Sequence, residues 1–328
     1  MSDTDAAFDR MRAEQYLAPE TIGQLGSLEL RARMIAEGVM SGMHRSPYQG
    51  LAVEFAQHRQ YVPGDDLRHL DWKVFGRSDK LHLKQYQQET NLDINLLVDC
   101  SASMRYGTLR LKKGWGGTDA SRSRDLWTKF DHATAIGAAM CYLSLQQRDR
   151  VGLSVFADGI ESQVKRSNAR DTWRRMVRTL SSEVVDAKTD VRKVVDQALA
   201  AVGNRSLFVM ISDFLVPIED IEAAIARIRH RRHDLMLLQV LDRQELRFDL
   251  DDPSPFEGLE GEGRMNVDPR VVREDYLAAI EAHCGTIEKS ARSHGYDYLR
   301  LDTHASVGPA IAAMLGRRKA FARGGGRS

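Results

Sequence analysis

Between Leu92 and Met104 the chain reads LDINLLVDCSASM, an apolar run that ends on Asp99 and passes at once to Ser101 and Ser103. A carboxylate and two hydroxyls are hard oxygen donors, and the D-x-S-x-S spacing can turn all three toward one point. Such a set suits Mg2+ or Mn2+ and not zinc, which favours nitrogen and sulfur. One loop does not complete a metal shell, so other strand ends must contribute. Asp213 follows the apolar run SLFVMIS, and Thr189 stands in DAKTDV just before a helical pattern. Asp99, Ser101, Ser103, Thr189 and Asp213 would together form an all-oxygen shell with two formal negative charges. Mg2+ prefers octahedral coordination and keeps waters, which leaves a position for an incoming ligand. Each residue also has a purely structural use. Ser101 and Ser103 could cap the segment that follows, Thr189 or Asp190 could cap VRKVVDQAL, and Asp213 could begin a turn. Asp99, directly after a buried strand, would still be costly without a partner.

The elements that must position these residues can be read from periodicity. Candidate strands are 93–98, 150–157, 206–212, 234–241 and 296–301, several of them nearly continuous apolar runs. Parallel strands covered on both faces have that composition. Between them lie helical patterns, among them TKFDHATAIGAAMCYLSLQQ, DVRKVVDQALAAV and IEDIEAAIARIRHR; in the last, Ile221, Ile225 and Ile228 share one face. The alternation predicts a doubly wound α/β fold with a mostly parallel sheet, in which ligands gather beyond the carboxyl ends of the strands. Residues 1–90 read as an N-terminal extension containing a small β-bearing segment, residues 91–316 as the α/β domain, and residues 317–328, RRKAFARGGGRS, as a frayed tail.

Formal net charge is +1, from 47 basic and 46 acidic residues, so no whole-molecule field argues for nucleic acid or an anionic membrane. Cys100, Cys141 and Cys284 are odd in number and lie in apolar segments, the pattern of free thiols in a reducing compartment. No stretch reaches roughly 18 uninterrupted apolar residues and no signal peptide opens the chain. The expectation is a cytoplasmic protein without a membrane span, able to dock peripherally on a membrane partner.

The site residues resemble the metal-ion-dependent adhesion site of von Willebrand factor A domains. Asp99, Ser101 and Ser103 match that family's first loop, Thr189 its second-loop threonine and Asp213 its third-loop aspartate. The resemblance implies that the two serines coordinate directly, and that a partner's carboxylate completes the shell. A second stretch, YVPGDDLRHLDW from Tyr61 to Trp72, reads by itself as a charged surface turn, with Asp65, Asp66, Arg68, Asp71 and Lys73 crowded together. Followed at this distance by the D-x-S-x-S strand, by the strand end at Asp213 and by DYLRLDTH, it resembles the bacterial family known as domain of unknown function fifty-eight. Members carry a von Willebrand factor A-like, Rossmann-type domain and are encoded near MoxR-type AAA+ ATPases. The resemblance implies an adaptor or co-chaperone for such an ATPase and its protein clients. Phe75-Gly76-Arg77 and the long basic insertion at 105–125 depart from the family pattern, as does the lack of N-terminal membrane spans.

Two other functions compete. A Mg2+-dependent phosphoesterase could use Asp99 at its strand end, but DCSAS lacks a second aspartate two positions on, and no P-loop, G-x-S-x-G or H-E-x-x-H occurs. Nucleic-acid binding could use Arg105, Arg110, Lys112, Lys113, Arg122 and Arg124 around Trp115. Without a regular array of aromatics, that run reads as a solvated loop. The sequence therefore favours a non-enzymatic interaction module over either.

Overall fold

The computed structural model describes residues 17–25, 27–44, 58–62, 72–84, 92–111, 126–169, 171–182, 184–252, 254–261 and 263–324. The chain divides into two compact units, 1–42 with 91–328, and 43–90. Helix α1 (Leu28–His44), which lies in the larger unit up to residue 42, is followed there by β1 (Asp93–Asp99), α2 (Lys129–Gln146), β2 (Arg150–Phe156), β3 (Ile160–Ser167), α3 (Thr172–Leu180) and α4 (Val191–Ala200). Then come β4 (Leu207–Ser212), α5 (Ile218–His230), β5 (Asp234–Leu241), the short α6 (Arg243–Arg247), α7 (Pro269–Ser293), β6 (Asp297–Asp302) and α8 (Gly308–Gly324).

Six strands form one sheet in the order β6-β5-β4-β1-β2-β3, parallel throughout except for β3, which runs antiparallel to β2. Strand β1 is central: Leu96 lies opposite Leu153 of β2 on one side and Val209 of β4 on the other. All six residues of β4 are buried, as helices on both faces require. Helix α2 comes close enough to β1 that a Cβ on Gly137 would sit 3.1 Å from the Leu96 side chain. Ile221, Ile225 and Ile228 of α5 are buried on the expected face.

Strand β3 has no counterpart among the expected strands. Apart from the buried Val164, its residues, IESQVKRS, are exposed or partly buried at the edge of the sheet, so they carry charge where central strands carry apolar side chains.

The boundaries also shift. Residues 17–42 belong to the larger unit and not to a common extension with 43–90. Helix α1 buries Ala32, Ile35, Ala36 and Val39, and its Arg31 lies 5.3 Å from the centre of the Trp127 ring and 3.9 Å from Asp131. An apolar helical face needs a core, and the sequence does not say which core receives it. At the other end, the expected tail from 317 is the continuation of α8 to Gly324. Arg317 pairs with Asp234 at 3.1 Å, and Arg318 with the buried Asp149 at 2.6 Å.

In the smaller unit, His58–Gln60 pairs antiparallel with His82–Lys84, and a helix spans Trp72–Ser78. The expected β-bearing segment is there. Its Gly64, Asp65, Asp66, Arg68 and Asp71 lie outside the described residues, as does most of the basic insertion, 112–125.

His132 of α2 is fully buried, its Nδ1 accepting from the Trp127 indole at 3.2 Å, and burial pushes its pKa down to about 4. The unfolded chain protonates this histidine near 6.5, so between pH 6.5 and 4 the unfolded state holds more protons and stability falls as pH drops. The loss should reach about 3 kcal/mol near pH 4. Guanidinium unfolding of wild type and His132→Gln should show a difference in acid slope over that window; parallel slopes would contradict it.

Candidate metal site at the strand ends

The order of the sheet reverses between β1 and β4, and the loops after those two strands open the crevice where α/β sheets bind ligands. Asp99 closes β1 and is wholly buried. Its Oδ1 accepts from the Ser101 amide at 2.8 Å. Its Oδ2 accepts from the Ser212 hydroxyl at 2.6 Å and the Thr189 hydroxyl at 3.2 Å. Ser101 and Ser103 place their hydroxyl oxygens 3.1 Å apart.

Backbone pairing brings the second loop alongside the first. Ala102 donates to Ala187 O at 3.1 Å, and Val185 donates to Cys100 O at 2.9 Å. The structural uses of these side chains can then be checked one at a time. Ser101 precedes a short 3-10 turn, Ala102–Arg105, but its side chain makes no cap to it. Asp190, not Thr189, caps α4, accepting from Lys193 N at 2.9 Å. Thr189 is therefore left to face Asp99. The N-cap of α5 is Pro217, so Asp213 caps no helix.

Asp213 leaves β4 just before Phe214, whose φ of 52° lies in the left-handed region that bulky residues avoid. The turn is held by Phe214 N donating to Ser212 Oγ at 3.0 Å and by His283 Nε2 donating to Phe214 O at 2.8 Å. The Asp213 carbonyl accepts from Gln239 Nε2 at 2.8 Å. Its carboxylate is doubly engaged: Oδ1 accepts from Leu215 N at 3.2 Å, and Oδ2 lies 2.8 Å from Lys129 Nζ. Lys129 is buried in the first turn of α2 and also reaches Glu245 Oε1 at 2.7 Å. Burial alone would lower the ammonium pKa; the Asp213 and Glu245 carboxylates overcome that and hold it above its ordinary value.

The structure thus joins Asp99, Ser101, Ser103 and Thr189 through hydrogen bonds and brings Asp213 close enough to act on Asp99 electrostatically. Burial first, and the Asp213 charge second, push the Asp99 carboxyl up to about 7, against hydrogen bonds from Ser212 and Ser101 that pull it down. Among the described residues no cation pairs with Asp99. A hard divalent ion would supply the missing counter-charge, and the all-oxygen donors fit one. No group of three or more His, Cys, Asp or Glu side chains suited to a metal occurs among the described residues, so hydroxyls would have to carry much of the shell.

Sequence reasoning missed Ser212, Lys129 and Glu245. Ser212 stands next to Asp213, whose carboxylate is the more obvious ligand, and Lys129 sits in a helix start where a lysine ordinarily reads as solvated.

Among the described residues no helix is long and apolar enough to cross a membrane. The sheet order and the D-x-S-x-S loop at the end of its central strand make the fold von Willebrand factor A-like. Two mycobacterial relatives, uncharacterized protein Rv1480 of Mycobacterium tuberculosis and uncharacterized protein Mb1516 of Mycobacterium bovis, are each 29% identical over 292 residues, covering 87% of this chain and 86% of theirs. Among solved structures, conserved hypothetical protein BatB from Bacteroides thetaiotaomicron aligns with 15% identity and a TM-score of 0.44, over 71% of this chain and 99% of that one. The SpRpn10 VWA domain aligns with 9% identity and a TM-score of 0.40, over 68% and 94%. The model of the family described as protein of unknown function DUF58 matches residues 57–285, and the chain belongs to that family.

Proposed function

We propose that this protein is a non-enzymatic, metal-dependent protein-interaction module. In this reading Ser101 and Ser103 ligate Mg2+ or Mn2+ directly, Asp99, Thr189 and Asp213 complete its surroundings, and an aspartate or glutamate of a partner takes the open position. The observation that carries it is the convergence of Asp99, Ser101, Ser103 and Thr189 from two loops, with Asp99 buried and no cation beside it among the described residues. When bound, the ion would supply a positive charge that recognises a carboxylate. The chain's own part is to hold the hydroxyls in place and keep Asp99 dry. The partner we propose is a MoxR-type AAA+ ATPase, with this protein as its adaptor or co-chaperone toward protein clients in the cytoplasm. Three buried free thiols support a reducing compartment.

Affinity capture from lysate tests the reading, with wild type and Asp99→Asn as baits, each in Mg2+ and in EDTA. A MoxR-type ATPase should be retained by wild type in Mg2+ and lost, by about tenfold or more, in the other three arms. Equal capture in all four arms would sink the metal-dependent reading.

A further inference from the structure

The metal-site reading leaves Lys129 unaccounted for. Its ammonium is buried at the start of α2, where the helix dipole is itself positive, so only strong anionic partners hold it there. Those partners are Asp213 Oδ2 at 2.8 Å and Glu245 Oε1 at 2.7 Å. Because Asp213 Oδ1 already accepts from Leu215 N, the lysine on Oδ2 leaves neither oxygen of this carboxylate unengaged. Glu245 is fixed in turn, its Oε2 accepting from Asp242 N at 2.7 Å in the capping box of α6. The ammonium is therefore braced from behind and cannot drift away from Asp213 without breaking that box.

We propose that Lys129 is a positioning residue that sets cation affinity by withholding Asp213 from direct ligation. A divalent ion then meets Asp99 as its nearest carboxylate and two serine hydroxyls, and binds weakly without a further anionic ligand. This inference rests on the proposed metal site. It predicts a gain of binding when the lysine is removed, an outcome that simple loss of structure would not produce.

The test is isothermal titration of Mn2+ into the full chain as wild type, Asp99→Asn, Lys129→Met and the double variant Lys129→Met with Glu245→Gln. The single variant frees Asp213 and adds one net negative charge; the double variant frees Asp213 with no change in net charge. Both should bind Mn2+ roughly tenfold more tightly than wild type or better, through a site abolished by adding Asp99→Asn. The double variant also decides the matter if the single one does not fold. Asp99-dependent binding that is unchanged or weaker in the lysine variants, or tighter only in the single one, overturns the role of Lys129. Binding that is absent from every variant, or indifferent to Asp99→Asn, overturns the metal site itself and this inference with it.

Discussion

Replacing Lys129 by methionine should lower the conformational stability of the metal-free protein by about 3–5 kcal/mol, because it leaves buried carboxylates without their cation. The side chains of Lys129 and Asp213 are 1% and 2% exposed and that of Glu245 15%, so little water is at hand to replace the ammonium. Methionine fills a similar volume, which confines the change to charge and hydrogen bonding. If the cost is uncompensated charge, neutralising the carboxylates must restore what the lysine's removal took away. The triple variant Lys129→Met, Asp213→Asn, Glu245→Gln should therefore recover most of the loss, as whole buried ion groups exchanged for neutral ones often do. Guanidinium unfolding in EDTA measures both steps. A loss under about 1 kcal/mol in the single variant would mean that the three side chains do not form the closed group described.

That ion group marks the limit of what the sequence discloses about the site. Asp99, Ser101 and Ser103 are legible because hydroxyls and a carboxylate interrupt an apolar run, and a strand end in an α/β sheet is a defined place. Lys129 is not legible in this way. A lysine in the first turn of a helical pattern reads as solvated, and only the convergence of β4 and α6 upon it shows that it is buried. Thr189 and Asp190 are neighbours with similar chemistry; which of them caps α4 and which faces Asp99 depends on backbone geometry beyond any spacing rule. Ser212 was hidden by its neighbour, since an aspartate at a strand end draws attention from the hydroxyl before it.

The same division holds for the fold. Central strands announce themselves by continuous burial, and four of them, β2, β4, β5 and β1, lie within one or two residues of where composition puts them. The edge strand β3 is paired on one side only and keeps polar residues, so it carries no such signal. Helices α1 and α8 fail for a different reason. Their residues are compatible with helix, but their placement depends on contacts far away in sequence: Arg31 with Trp127, and Arg318 with Asp149.

A chain ended after Gly316 should lose about 3–5 kcal/mol, although composition alone marks the residues beyond it as dispensable. Asp149 is fully buried, with Oδ1 accepting from Leu92 N at 3.0 Å and from Arg318 Nη2 at 3.0 Å, and Oδ2 accepting from Arg318 Nε at 2.6 Å. The guanidinium fork grips both oxygens, so the loop before β2, the start of β1 and the end of α8 meet on one carboxylate. Removing the fork strands a buried charge beside the central strand. Arg318→Ala alone should reproduce most of the truncation's cost, and Arg318→Lys should recover only part, since an ammonium cannot engage both oxygens in the same geometry. Arg317→Ala should cost about 1 kcal/mol or less, because its partner Asp234 is 15% exposed where Asp149 is fully buried, and Asp234 keeps Arg205 when Arg317 is gone. Denaturant unfolding of the four variants gives the ranking. Equal stability of the truncated and full chains would show that Asp149 finds another partner, and that α8 contributes its apolar face, Ile311 and Met314, without the ionic clamp.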